Sequence, residues 1–283
     1  TEDAPDAPRA RWLPHARVIG EAFLRDLDLP GWGMDHLALT QMPAYTDAPL
    51  RGEAVRYPII VHAHGWTGFR TVSVDQHLHL ASHGYVVFAA DHTYGALATV
   101  FADGEVALNR PDALPPRSAP NRQPRIEQLV DTFRDDIRFM LDQIARLDAG
   151  EIGNAFAGQL DLERIGAYGH STGASATLEA TIADPRIRAA LAEDVWGEPI
   201  TADVIAATAT TPMCFINSDG WIDPDDEVTQ TVKGFFARAQ APVHLMTIQG
   251  TKHRDFTVLP LLSPLQALTF TGDVPGDTLL PLV

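Results

Sequence analysis

The sequence predicts an α/β fold with a mostly parallel central sheet flanked by helices, and three observations carry that prediction. Tyr57–Ala63 (YPIIVHA) and Tyr85–Ala90 (YVVFAA) are short, β-rich apolar runs with little alternation, the pattern of strands buried on both faces. The helix-spaced segment Val74–His83, closed by Gly84, joins them into a βαβ unit, and such a crossover makes the two strands parallel. Strand-like and helix-like segments then alternate to residue 248 with no Gly/Ser linker, so one domain is read over residues 1–283.

Each element follows in order. Residues 1–30 read as an N-terminal lead, acidic and proline-dotted in TEDAPDAPRA. A first residue other than Met suggests a removed leader, which favours a secreted or periplasmic setting over the cytoplasm. After the first strand comes the glycine-containing turn HGWTG, residues 64–68. Residues 95–125 break the βα rhythm: TVFADGEVAL is a hairpin signal around Asp103-Gly104, and PDALPPRSAPNRQPR follows it. This excursion leaves a strand's carboxyl end, where clefts form in open α/β sheets. It is expected either to overhang the site as a partial lid, with Phe101, Val106 and Leu108 offering apolar contact, or to pack on the sheet alone.

Ile126, Leu129, Val130, Phe133, Ile137, Met140, Leu141 and Ile144 recur at three- and four-residue spacing and predict an amphipathic helix over 126–147. The remaining expected elements are strand 165–168, helix 173–183, strands 187–192 and 211–217, helix 228–239 and strand 243–248.

Composition removes several function classes. Lys+Arg total 21 against 37 Asp+Glu, a net charge of -16, so nucleic acid and other polyanions are excluded as partners. The acidity also favours an ester that is neutral or zwitterionic near its carbonyl. Cys214 is the only cysteine, which excludes an intramolecular disulfide and an all-cysteine metal cluster. No run approaches the ~20 apolar residues of a membrane span, so stable insertion is not expected.

The strongest chemical signal is Gly169-His170-Ser171-Thr172-Gly173, a G-x-S-x-G motif between a β-branched strand and an Ala-rich helix. That setting exposes a nucleophilic serine on a sharp turn, and the flanking positions must be small to avoid neighbouring backbone. The following helix aims its positive end at the developing oxyanion, with Thr172 N–H as one donor and Trp66 N–H, in the loop after the first strand, as the other. His64 is read as a structural histidine that hydrogen-bonds loop backbone. In this architecture the order is Ser, acid, His, and His253, in the loop after the last strand, is the base, whereas His244 lies inside that strand. Chain position leaves the acid open among Asp194, Asp219 and Asp223.

HAHGWTGFRT (62–71), LASHGYVVFAADH (80–92), DIRFMLDQI (136–144), GHSTGA (169–174), EDVW (193–196), FINSD (215–219) and GTKHRDF (250–256) resemble the plasma-type and bacterial platelet-activating-factor acetylhydrolases. These are a branch of the α/β-hydrolase superfamily near the dienelactone hydrolases and cutinase-like polyester hydrolases. The resemblance implies the α/β-hydrolase fold, an acid within D-x-W and therefore Asp194, and oxyanion donors at Trp66 and Thr172. It also implies a serine esterase without a cofactor, acting on short-acyl esters such as platelet-activating-factor-like phospholipids. Where the family has an Arg-Asp pair after its fourth strand, this chain reads Asp91-His92.

The competing readings are a polyester or cutin hydrolase, which requires an open groove, and a non-catalytic binding protein on the same fold. No metal is expected: His62, His64, His77, His79 and His83 include no H-E-x-x-H, and Asp223, Asp225 and Asp226 match no EF-hand spacing.

Overall fold

The buried apolar runs become the middle of the molecule. A computed structural model describes residues 7–25, 31–50, 56–207, 210–221, 229, 233–234, 236–258, 260 and 272–274. In chain order the elements are β1 (Arg9–Arg11), α1 (Ala16–Arg25), β2 (Gln41–Tyr45), β3 (Tyr57–Ala63), α2 (Val74–Ser82), β4 (Val86–Ala89), β5 (Ala98–Val100) and β6 (Val106–Leu108). Then come α3 (Arg122–Asp148), β7 (Leu160–His170), α4 (Thr172–Ala183), β8 (Ile187–Glu193), α5 (Ala202–Ala206), β9 (Met213–Ser218) and β10 (Val243–Ile248). The helix expected over 228–239 lies largely outside the described residues.

Six strands form one parallel sheet in the order β10-β9-β8-β7-β3-β4. From β3 the chain steps outward to β4, returns to the other side of β3 as β7, and then proceeds through β8, β9 and β10. The reversal lies between β3 and β7, so the loops after these strands leave in different directions and open a crevice at their carboxyl ends. Ser171 and the turn 64–68 sit at that point.

The amphipathic stripe of α3 packs on the sheet. Every predicted stripe residue except Met140 is buried, among Ile59, Val61, Leu160 and Ile165. Each such side chain contributes roughly 1.5–3 kcal/mol of burial.

The lead expected over 1–30 is different in the structure. From Arg9 onward it makes β1, antiparallel to β2, and then α1. The physical reason is the apolar spacing in ARVIGEAFLR, which buries Ala16, Ile19, Ala22 and Leu24 on one helix face. With Trp12 and Leu13, the residues Ala16, Ile19 and Ala22 form a cluster with Phe69, Val72 and Leu97, and Trp12 Nε1–H donates to Thr71 O at 2.9 Å. The predicted hairpin is present as β5 and β6, paired antiparallel. No helix among the described residues is long and apolar enough to cross a membrane.

Candidate active site

Ser171 is the single residue between the end of β7 and the start of α4, and it turns the chain alone with φ 57° and ψ -119°. A side chain held there costs on the order of 1–3 kcal/mol. The turn is fixed by Ser171 N–H donating to Glu193 O at 2.9 Å, while Ser171 O accepts from Ala174 N–H at 3.0 Å and Ser175 N–H at 3.2 Å. Its two glycines are there for close approach. A Cβ on Gly169 would stand 2.5 Å from the Gly173 carbonyl carbon and 2.8 Å from Thr177 Oγ1, and one on Gly173 would stand 2.5 Å from His64 O.

The loops after β8 and β10 bring a carboxylate and an imidazole beside this serine. Asp194, fully buried at φ 45°, accepts from Ser218 N–H on Oδ1 at 2.6 Å and from Ser218 Oγ on Oδ2 at 2.7 Å. Oδ2 also accepts from His253 Nδ1–H at 2.9 Å, which leaves Nε2 as the free basic nitrogen of that ring. His253 lies in the one-turn helix His253–Phe256, whose start is tied by Lys252 N–H donating to Asp255 Oδ2 at 2.9 Å. Two rings hold its plane. Trp221 stacks on it with centroids 4.1 Å apart and planes 7° from parallel, and His170 lies 4.3 Å away on another side. His170 Nε2–H donates to His253 O at 2.8 Å, and burial with the neighbouring His253 holds the His170 pKa well below the usual histidine range. Among the described residues, His170, Asp194 and His253 are the one group of three whose ligand-type atoms gather within 4.8 Å, and these hydrogen bonds already occupy several of those atoms.

The other candidate acids are placed differently. Asp219 is exposed and accepts from Gly250 N–H at 3.1 Å, while its own N–H donates to Thr251 O at 3.1 Å, so it braces the loop that carries His253. Asp223 lies outside the described residues. Trp66 is half-buried in the turn after β3, and Thr172 is buried at the head of α4. Among the described residues, neither backbone N–H has a hydrogen-bond partner.

His64 matches its structural expectation: Nδ1–H donates to Gly65 O at 2.7 Å, and Nε2 accepts from His92 N–H at 3.0 Å. Burial beside His92 lowers its pKa to about 3, so the ring is neutral. Asp91 accepts from Arg70 N–H at 2.7 Å, and His92 Nδ1–H donates to Asp136 at 2.9 Å, so two separate pairs hold the loop after β4.

A cavity of about 170 Å³ opens onto Ser171 and His253. Its walls include Phe23, Trp66, Phe69, Val72 and Leu97, with Arg254 also on the lining. Of the excursion, only Leu97 reaches it. Phe101, Val106 and Leu108 are solvent-exposed and absent from the lining, so they do not provide the apolar contact weighed from sequence. That contact comes instead from α1 and the β3 loop. Phe23, His170 and Trp221 were not singled out by sequence reasoning. The amphipathic spacing of α1 pointed to Phe23 and the serine motif contains His170, whereas nothing local marks Trp221.

A second polar group lies on the strands leading into the site and on α2. His62 and Tyr168 are register partners on β3 and β7 with rings 4.5 Å apart, and His77 on α2 is 4.6 Å from His62. Gln76 Nε2–H donates to Glu193 Oε1 at 3.0 Å. Neither His62 nitrogen, neither Asp75 carboxylate oxygen and not the Tyr168 hydroxyl has a partner among the described residues. Burial drives each towards its neutral form: the His62 pKa falls well below the usual range, His77 falls to about 4, Asp75 rises to about 6, and Glu193 rises well above the ordinary carboxyl value.

A family model described as "Platelet-activating factor acetylhydrolase, isoform II" matches residues 2–274. The platelet-activating factor acetylhydrolase of Cavia porcellus is 25% identical over 304 residues, covering 98% of this chain and 67% of that protein. Those of Canis lupus familiaris and Bos taurus are 29% and 27% identical over 235 residues, each covering 76% of this chain and 51% of the relative. The chain thus spans about half to two thirds of the length of these relatives. Among solved structures, a ferulic acid esterase from Streptomyces cinnamoneus superposes with a TM-score of 0.73 at 22% identity, over 98% of this chain and 76% of that one, a likeness of fold.

Proposed function

The chain belongs to the platelet-activating factor acetylhydrolase isoform II family, and from that premise we propose that it is a serine carboxylic-ester hydrolase working through an acyl-enzyme. The observation that carries this reading is the 2.9 Å hydrogen bond between His253 Nδ1–H and the buried Asp194 carboxylate, beside a serine held at positive φ on a strand-to-helix turn. Asp194 fixes the imidazole tautomer, so Nε2 is the nitrogen that accepts a proton. Ser171 Oγ attacks the ester carbonyl as its proton passes to Nε2, and Asp194 stabilises the imidazolium that forms. Collapse of the tetrahedral intermediate expels the alcohol, which takes that proton. Water, deprotonated by the same nitrogen, then releases the acid and restores Ser171.

The Trp66 and Thr172 N–H groups, unpartnered among the described residues, support their assignment as donors to the oxyanion, each contribution of this kind being worth roughly 10²–10³ in kcat. The curated relatives are named acetylhydrolases, and a 170 Å³ cavity suits a short acyl group. We therefore assign short-acyl esters, including acetylated phospholipids, as the substrate class. The apolar walls formed by Phe23, Trp66, Phe69, Val72 and Leu97 favour this over a polyester, which needs an open groove.

Turnover of p-nitrophenyl acetate is the direct test. The parent chain is expected to hydrolyse it above background, and Ser171→Ala is expected to lower kcat on the order of 10⁴-fold or more. Equal turnover by the parent and Ser171→Ala would leave the chain as a non-catalytic relative on the same fold.

A further inference from the structure

We propose that Phe23, carried on α1, sets the upper limit on the length of acyl chain accepted at Ser171. This specificity role rests on the esterase reading and deepens it. The argument starts from volume. An apolar cavity of about 150 Å³ holds one benzene molecule, so the 170 Å³ beside Ser171 has room for roughly six or seven heavy atoms. Acetyl and butyryl groups fit that space, hexanoyl fills it, and octanoyl exceeds it.

The apolar wall comes from three parts of the chain, and their freedom to vary differs. Phe69, Val72 and Leu97 are buried members of the cluster with Trp12, Leu13 and Ile19, so their size is tied to packing in that cluster. Trp66 lies on the loop after β3, and its backbone N–H has no acceptor among the described residues. Phe23 is only partly buried, packs on the edge of the same cluster and is one of the cavity-lining residues. It lies four residues after Ile19, so both project from one face of α1. Ile19 is buried in the cluster. The ring thus packs on the edge of the cluster from the helix's buried face while also forming part of the cavity wall. Shortening it lengthens the cavity, and each further methylene that can then be buried favours the longer ester about fourfold.

The experiment compares kcat/KM for the p-nitrophenyl esters of acetate, butyrate, hexanoate and octanoate in the parent, Phe23→Ala, Phe23→Leu and Phe23→Trp. The expected result is a sharp fall between hexanoate and octanoate in the parent. The octanoate-to-acetate ratio should rise about tenfold or more in Phe23→Ala and by less in Phe23→Leu. In Phe23→Trp the hexanoate-to-acetate ratio should fall. If Phe23→Ala does not fold, the Leu and Trp variants still read the two opposite directions. Ratios unmoved in every folded variant, including a uniform fall on all four esters, would overturn the proposal and leave Phe23 a packing residue. A parent that hydrolyses none of the four would overturn the esterase reading as well, so the two failures are distinguishable.

Discussion

Asp194 and Glu193 are consecutive residues at the end of β8, and both are fully buried. Asp194 points its carboxylate into three donors, two from Ser218 and one from His253. Glu193 receives one amide bond from Gln76 and leaves Oε2 without a partner among the described residues. It belongs to the group containing His62, Asp75, His77 and Tyr168, where burial favours neutral forms. The strand ends at Glu193 and the chain turns at Asp194 with φ 45°, and this one step separates two ways of keeping a polar group inside a protein. In one the group is surrounded by hydrogen bonds; in the other it gives up its charge. The first suits the role proposed for Asp194, steadying an imidazolium, and the second suits the supporting layer, where a charge would find no compensation.

Three perturbations break or sharpen this contrast. The largest effect is expected at the donor-rich carboxylate: Asp194→Asn should lower kcat on p-nitrophenyl acetate about 10³- to 10⁴-fold by spoiling the imidazole tautomer. Asp219→Asn, which only loosens the Gly250 loop, should cost less than about tenfold. The reverse ranking would transfer the acid's role to Asp219.

The neutral layer is probed by pH. The Asp75 pKa is raised from 3.8 to about 6 in the fold, so its protonated form is the favoured one. That contribution to stability is complete below about pH 3.8 and is lost as pH rises to about 6, a loss of about 3 kcal/mol. His77, lowered from 6.5 to about 4, has the opposite sign: its contribution is complete above about pH 6.5 and is lost as pH falls towards 4. Urea denaturation of the parent and Asp75→Asn at pH 4 and pH 7 separates them, because the variant should gain on the parent only at the higher pH. An equal difference at both pH values would show that Asp75 is not held neutral by burial.

The smallest effect is expected where an apolar surface supports the first cluster. Trp221→Leu removes the ring stacked on His253, an interaction of about 0.5–1.5 kcal/mol, and should lower kcat up to about tenfold with little change in KM. A change confined to KM would place Trp221 in substrate binding instead.

The sheet and the long helix were legible in the sequence because their signals are local. Continuous apolar runs gave β3, β4, β8 and β10, and the stripe of α3 is buried at every expected position but Met140. The N-terminal region was misread because the polar lead TEDAPDAPRA masks a helix whose apolar face makes sense only against Phe69 and Leu97, far along the chain. The candidate site divides the same way. Ser171 is announced by its neighbours and His253 by chain order, but three aspartates follow strand ends, and the commonest position of the acid in this fold favours Asp219 or Asp223. Which carboxylate aims at the imidazole depends on how β8 and β9 lie side by side, and only the resemblance favoured one in advance. Phe23 and Trp221 reach the site by tertiary packing: the spacing of α1 marks Phe23 as apolar-face but not as a site residue, and nothing local marks Trp221.

His64 carries one last consequence. Its two nitrogens take a carbonyl from its own loop and an amide from the loop after β4, so a single ring rivets together the two shoulders of the crevice. A rivet of this kind works only while one nitrogen stays bare, and with a pKa of about 3 it does so throughout ordinary acid and alkaline media. The two shoulders of the crevice therefore stay riveted wherever the His64 ring is neutral, and any loosening of the crevice in mild acid must begin at other side chains.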